Sequence, residues 1–223
     1  MIMLTRTQMI IIYGLTLLLV HASSNGFEKN VPLCYTLPLI VLCVMCLCTQ
    51  MQLNKKLATI GSFLSLAVGL FYWSLNPQHL TDRSIPFCIS DLLYLYTYWN
   101  CVKKFWKSLG IVLTVYFVGL IFYCFGDLYR SLPLLVISVA VDLFITCLSI
   151  FAAGSLWKNG VQCRKLHNAK VAAFLRFIGL FIELFCGSAL MLKLFGKYNY
   201  FNQFVIFYYI AQFLRFVSNE QTF

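Results

Sequence analysis

The sequence predicts an all-α, polytopic membrane protein with eight transmembrane helices. Three observations carry that expectation. Hydrophobic residues fill 61% of the 223 positions and charged residues only 11%, against about 45–50% and roughly 25% in a soluble domain. Long apolar runs recur from one end of the chain to the other, separated by short polar links. Lysine and arginine fall unequally on alternate links. A soluble core of this size still leaves about 25–30% of its surface exposed, so lipid must cover the surplus apolar residues.

A spanning helix needs about 20 mostly apolar residues. Eight runs qualify, at 8–24, 32–51, 57–75, 85–102, 107–126, 132–155, 171–192 and 204–218. The first follows Arg6 and ends in Val20-His21-Ala22-Ser23-Ser24, which also reads as a signal peptide: basic start, apolar middle, small residues at the cut. Cleavage would leave seven spans, but the run is long for a signal sequence and the retained helix is preferred. The second holds Cys43, Cys46 and Cys48, and the third starts after Lys55-Lys56 and stops before Pro77. The fourth contains Asp91, the fifth ends at Gly126-Asp127, and the sixth contains Asp142. The seventh holds Arg176 and Glu183. The eighth carries Tyr208-Tyr209-Ile210-Ala211-Gln212 and is short, so it either tilts little or thins the bilayer. Short links make neighbouring helices antiparallel. No composition shift or Pro/Gly/Ser-rich linker divides residues 1–223, which read as one transmembrane domain.

The formal net charge is +10. In a soluble chain this would raise nucleic-acid binding. Here the bases lie in loops beside apolar runs, which excludes that class and points to topology and anionic head groups. With eight spans, one side collects Arg6, Lys55, Lys56, Lys103, Lys104, Lys107, Lys158, Arg164, Lys165, Lys170 and Arg215. The other collects Lys29, Arg83, Arg130, Lys193 and Lys197. Eleven against five places both termini in the cytosol. The endoplasmic reticulum or a connected membrane is the expected location.

Ten cysteines are present, mostly within apolar runs, where a thiol acts as a small hydrophobe. No histidine lies near Cys43, Cys46 and Cys48. His21, His79 and His167 form no ligand spacing. No metal or other cofactor is expected.

Asp91, Asp142 and Glu183 lie well inside apolar runs. Facing lipid, each would cost about 2.5–3.5 kcal/mol, so each should face the protein interior. Asp127, beside Arg130, reads as an interfacial helix end. Tyr94 and Tyr98 lie three and seven residues after Asp91, on one helix face, where their phenols can hydrogen-bond the carboxylate. Arg176 and Glu183 share a face two turns apart, and Tyr208 and Gln212 share a face one turn apart. These groups are expected to line one hydrophilic chamber.

Tyr208-Tyr209-Ile210-Ala211-Gln212-Phe213-Leu214 resembles the last-helix Tyr-Tyr-x-Ala-Gln-x-Leu pattern of the lysoplasmalogenase (YhhN-like) family of eight-span membrane proteins. Ser90-Asp91-Leu92-Leu93-Tyr94-Leu95 resembles that family's fourth-helix Ala-His-Leu-Leu-Tyr pattern, Gly61–Leu75 its third helix and Gly179–Leu190 its seventh. The resemblance implies action on the vinyl ether of lysoplasmalogens, releasing a fatty aldehyde and a glycerophospho-choline or -ethanolamine. That chemistry needs a proton delivered to carbon and a water delivered to the resulting oxocarbenium-like centre, work that two carboxyls can divide.

The chain departs from the family at both expected aspartates. Leu70 stands where the third-helix Ser-x-x-Gly-Asp motif ends, and Cys186-Gly187 stands where the seventh helix has Ser-Asp. Asp91 stands in place of the fourth-helix histidine. Two readings follow. In one, a hydrolase uses Asp91 and Glu183 as replacement catalytic acids, with Leu70, Tyr94, Cys186, Gly187, Tyr208 and Gln212 lining the pocket. In the other, a catalytically inactive relative binds or regulates lysophospholipids within the bilayer.

Overall fold

The computed structural model of the protein describes residues 5–27, 29, 31–75, 80–126, 129–130, 132–160, 169–194 and 201–223. Among them are eight α-helices: α1 (Arg6–Ser23), α2 (Pro32–Leu47), α3 (Leu53–Leu75), α4 (Leu80–Tyr98), α5 (Lys107–Phe125), α6 (Pro133–Asn159), α7 (Ala169–Leu194) and α8 (Phe201–Thr222). A 3-10 turn, Trp99–Cys101, follows α4. Each helix overlaps one apolar run of the sequence. Four of them, α3, α5, α6 and α7, are long and apolar enough to cross a membrane, which marks the chain as a membrane protein. Pro77, His79, Asp127 and His167 lie outside the described residues, and with them the expected Asp127–Arg130 helix end.

The chain divides into two compact units, residues 1–97 with Phe223, and residues 98–222. In the first, α2 packs on α1 and α3. Thr5 caps α1 by a capping box with Gln8, each side chain meeting the other's backbone N–H at 3.4 and 2.8 Å. The chain then turns through Asn25, Gly26 and Phe27, all at positive φ. Such a φ strains a residue as bulky as Phe27. The Ser24 hydroxyl accepts from the Phe27 N–H, and Tyr35 of α2 donates to the Phe27 carbonyl. At the far end of α2, Lys56 donates to the carbonyls of Leu47 and Thr49, placing a cation on the negative end of the helix.

Helices α3 and α4 meet through small and polar groups. Ser62 and Ser90 share a buried hydroxyl–hydroxyl bond of 2.9 Å, and Ser65 donates to the carbonyl of Pro86 at 2.7 Å. A methyl group on Gly69 would lie 2.6 Å from the Phe87 ring. Small residues and interhelical hydrogen bonds of this kind hold helices together where lipid offers no hydrophobic drive.

In the second unit α6 packs on α5 and α7, and α8 on α7. Cys124, Phe125, Val136, Val139 and Met191 form a core cluster shared by α5, α6 and α7. Gly154 of α6 lies against Leu109 and Phe177, with no room for a side chain. Ile111, Val112, Val115, Phe122 and Tyr123 of α5 are exposed, and in a membrane they meet acyl chains.

Helices α7 and α8 run antiparallel with their backbones close together. A methyl on Gly179 would sit 3.1 Å from the Ala211 carbonyl oxygen and 3.5 Å from the Arg215 nitrogen. Backbone atoms cannot swing aside as a side chain can. Gly179→Leu is therefore expected to lower stability by about 1–3 kcal/mol, read as a lower unfolding temperature in detergent. Among the described residues nothing lies within 4 Å of a methyl on Gly187, so Gly187→Ala should raise that temperature slightly, alanine being the better helix former by about 1 kcal/mol.

Candidate functional site

In the second unit Arg176, Glu183, Gln212, Arg215, Asn219 and Thr222 gather on the α7–α8 hairpin, while Asp142 stays on α6, half-buried. Gln212, Arg215, Asn219 and Thr222 follow one another at spacings of three, four and three along α8, a single helical stripe. It faces Arg176 and Glu183, seven residues apart on α7. Because the helices are antiparallel, Glu183 meets the Gln212–Arg215 level and Arg176 the Asn219–Thr222 level.

At the first level the Arg215 Nη1 donates to both oxygens of Glu183, at 2.7 and 2.6 Å. Gln212 Nε2 donates to Glu183 Oε1 at 2.8 Å. Arg215 is fully buried and Glu183 is 8% exposed. The other amide atom, Gln212 Oε1, is buried and accepts no hydrogen bond among the described residues. At the second level Arg176 Nη2 donates to Asn219 Oδ1 at 3.0 Å, to Thr222 Oγ1 at 3.1 Å and to the Ser218 carbonyl at 3.5 Å. The Arg176 guanidinium also lies over the Tyr98 ring, 4.5 Å from its centroid, and the Tyr98 hydroxyl donates to the Ser149 carbonyl on α6 at 2.9 Å.

The acids and phenols of the sequence reading divide between the units. Asp91, Tyr94 and Leu70 belong to the first, where all three are buried. Tyr98, expected to serve the Asp91 carboxylate, sends its hydroxyl to Ser149. Glu183, Cys186, Gly187, Tyr208 and Gln212 belong to the second. Glu183 and Gln212 are brought into direct contact. Cys186 is buried and directs its thiol to the Phe204 carbonyl at 3.5 Å. Tyr208 is half-buried, one turn before Gln212. Gly187 is half-buried beside open space.

Arg215 requires a correction. Counted above with the loop bases of the cytosolic side, it is a buried residue paired with Glu183. Removing it leaves ten bases against five. Asn219 and Thr222 were missed as well. The signal was present in the 212–215–219–222 spacing, but it ran past the expected end of the span at 218.

Chemically, the Glu183 carboxylate has both oxygens committed to cationic or amide donors. To accept or deliver a proton it would first have to leave Arg215. Removing one partner of a buried pair leaves an uncompensated charge and costs about 3–5 kcal/mol, whereas replacing both with apolar groups is often close to neutral. Glu183→Gln and Arg215→Met are each expected to destabilise strongly, and the Glu183→Met/Arg215→Met double variant to recover most of that loss in thermal unfolding. Losses that simply add in the double variant would show that the pair is not coupled. No protein-family model, no curated protein and no solved structure matches the chain.

Proposed function

We propose that the protein is a lysoplasmalogenase-like, multi-pass membrane protein that binds lysophospholipid without hydrolysing it. In this reading all eight helices are membrane-spanning, both termini face the cytosol, and the membrane is the endoplasmic reticulum or one connected to it. The observation that carries the non-catalytic part is the commitment of Glu183 to Arg215 and Gln212. A carboxylate so held makes a poor proton donor to vinyl-ether carbon. The substitutions at Leu70 and Gly187 point the same way, since each puts a non-ionisable residue where the resembled family has an aspartate.

Binding is supported by the open acceptor on Gln212. A buried carbonyl oxygen with no donor is unfavourable by about 1–3 kcal/mol, and a ligand hydroxyl at that atom would relieve it. A lysophospholipid carries a free glycerol hydroxyl that a diacyl lipid lacks. Its single chain suits lateral entry from the bilayer, with the chain still in lipid.

The test uses purified full-length protein with lysophospholipid, diacyl phospholipid and lysoplasmalogen. Saturable lysophospholipid binding, weaker diacyl binding and no aldehyde release are the expected results. Gln212→Leu should weaken lysophospholipid binding by roughly two- to tenfold, the worth of one hydrogen bond. Aldehyde release that disappears in Asp91→Asn or Glu183→Gln would overturn this reading in favour of a hydrolase with rearranged acids.

A further inference from the structure

We propose that Trp99–Lys107 and the end of α6 at Trp157–Asn159 form a docking surface for anionic phospholipid headgroups. Four lysines, Lys103, Lys104, Lys107 and Lys158, are exposed on these two segments. Neither segment contains an aspartate or glutamate. The two segments are therefore cationic, with no acids of their own interspersed among the lysines.

It is also braced. The Trp106 N–H donates to Ser155 Oγ at 2.9 Å, and Asn159 Nδ2 donates to the Lys104 carbonyl at 2.7 Å. These bonds tie the loop to the last turns of α6. Phe105 stacks on Phe151 with ring centroids 5.2 Å apart and lies 6.0 Å from Trp99. Trp106 lies 6.4 Å from Trp157, and the Lys158 ammonium sits 4.4 Å over the Trp106 ring. Trp99 and Phe105 remain 40% and 46% exposed.

Tryptophan prefers the headgroup level of a bilayer, where its ring is half in hydrocarbon and its N–H meets polar groups. Braced tryptophans at that depth would hold the four ammonium groups among lipid phosphates. Lysines so placed attract acidic lipids over zwitterionic ones, and the attraction falls within a Debye length of the surface. The commitment is to a membrane lipid bearing net negative charge, phosphatidylserine being the simplest probe. The inference needs only that the chain spans a membrane and does not rest on lysophospholipid binding.

Three of the four tryptophans, Trp99, Trp106 and Trp157, lie in this collar, so quenching by brominated lipid reports on it directly. The protein would be reconstituted in phosphatidylcholine vesicles containing an equal fraction of brominated phosphatidylserine or brominated phosphatidylcholine. Stronger quenching by the serine lipid is expected, reduced at high salt and lost in Lys103→Gln/Lys104→Gln/Lys107→Gln/Lys158→Gln. Each lysine removed should weaken the preference by up to about fivefold. Lys158→Gln alone gives a partial loss should the fourfold variant fail to fold, and Lys29→Gln should keep the full preference. Equal quenching by the two lipids in the unaltered protein would overturn the proposal, as would a preference that survives in the lysine variants.

Discussion

A carboxylate cannot be left bare among helices that face acyl chains, and the meeting of Glu183 with Arg215 follows from that. The guanidinium spans both carboxylate oxygens from a fully buried position. Such an arrangement requires α7 and α8 to come close and to stay in register. Gly179, set against the Ala211 carbonyl and the Arg215 nitrogen, provides the approach by presenting no bulk between the two backbones. Seven residues from Glu183, Arg176 is received by Asn219, Thr222 and the Tyr98 ring. The hairpin is thus pinned at two levels by polar groups and closed between them by small ones.

In the amino-terminal unit, neutral groups join α3 to α4, although the buried Asp91 also belongs there. On α3, Ser62 shares a hydroxyl–hydroxyl bond with Ser90 and Ser65 donates to the carbonyl of Pro86, while Gly69 lets Phe87 settle against its helix. Pro86 lacks an N–H and so disrupts the hydrogen-bond ladder of α4. Lys56 does at the end of α2 what a capping residue does in water. In both units, polar atoms that lipid cannot solvate are answered by neighbouring helices.

This division of labour bears on function. The one acid of the carboxyl-terminal unit that the sequence suggested for proton transfer is committed to holding two helices together. At the same level Gln212 Oε1 is a buried acceptor with no hydrogen-bond donor among the described residues. The exposed lysines of Trp99–Lys107 follow directly on Tyr98, whose ring carries the Arg176 guanidinium.

Much of the fold was legible in the residues alone. Each of the eight apolar runs fell on one described helix, four of them long and apolar enough to cross a membrane, because hydrophobic length is a local property. The shared faces of Arg176 with Glu183 and of Tyr208 with Gln212 followed from the helical period. Partners did not. Arg215 reads as a loop base next to the polar end Ser218-Asn219-Glu220-Gln221, and only the antiparallel packing of α7 on α8 carries it to Glu183. Tyr98 reads as a companion of Asp91, and only the packing of the second unit shows its hydroxyl on the Ser149 carbonyl and its ring under the Arg176 guanidinium. The sequence determined that Asp91, Arg176 and Glu183 must be hidden from lipid, since that depends on charge and span. Tertiary structure decided which group hides which, since that depends on how closely two particular backbones can approach.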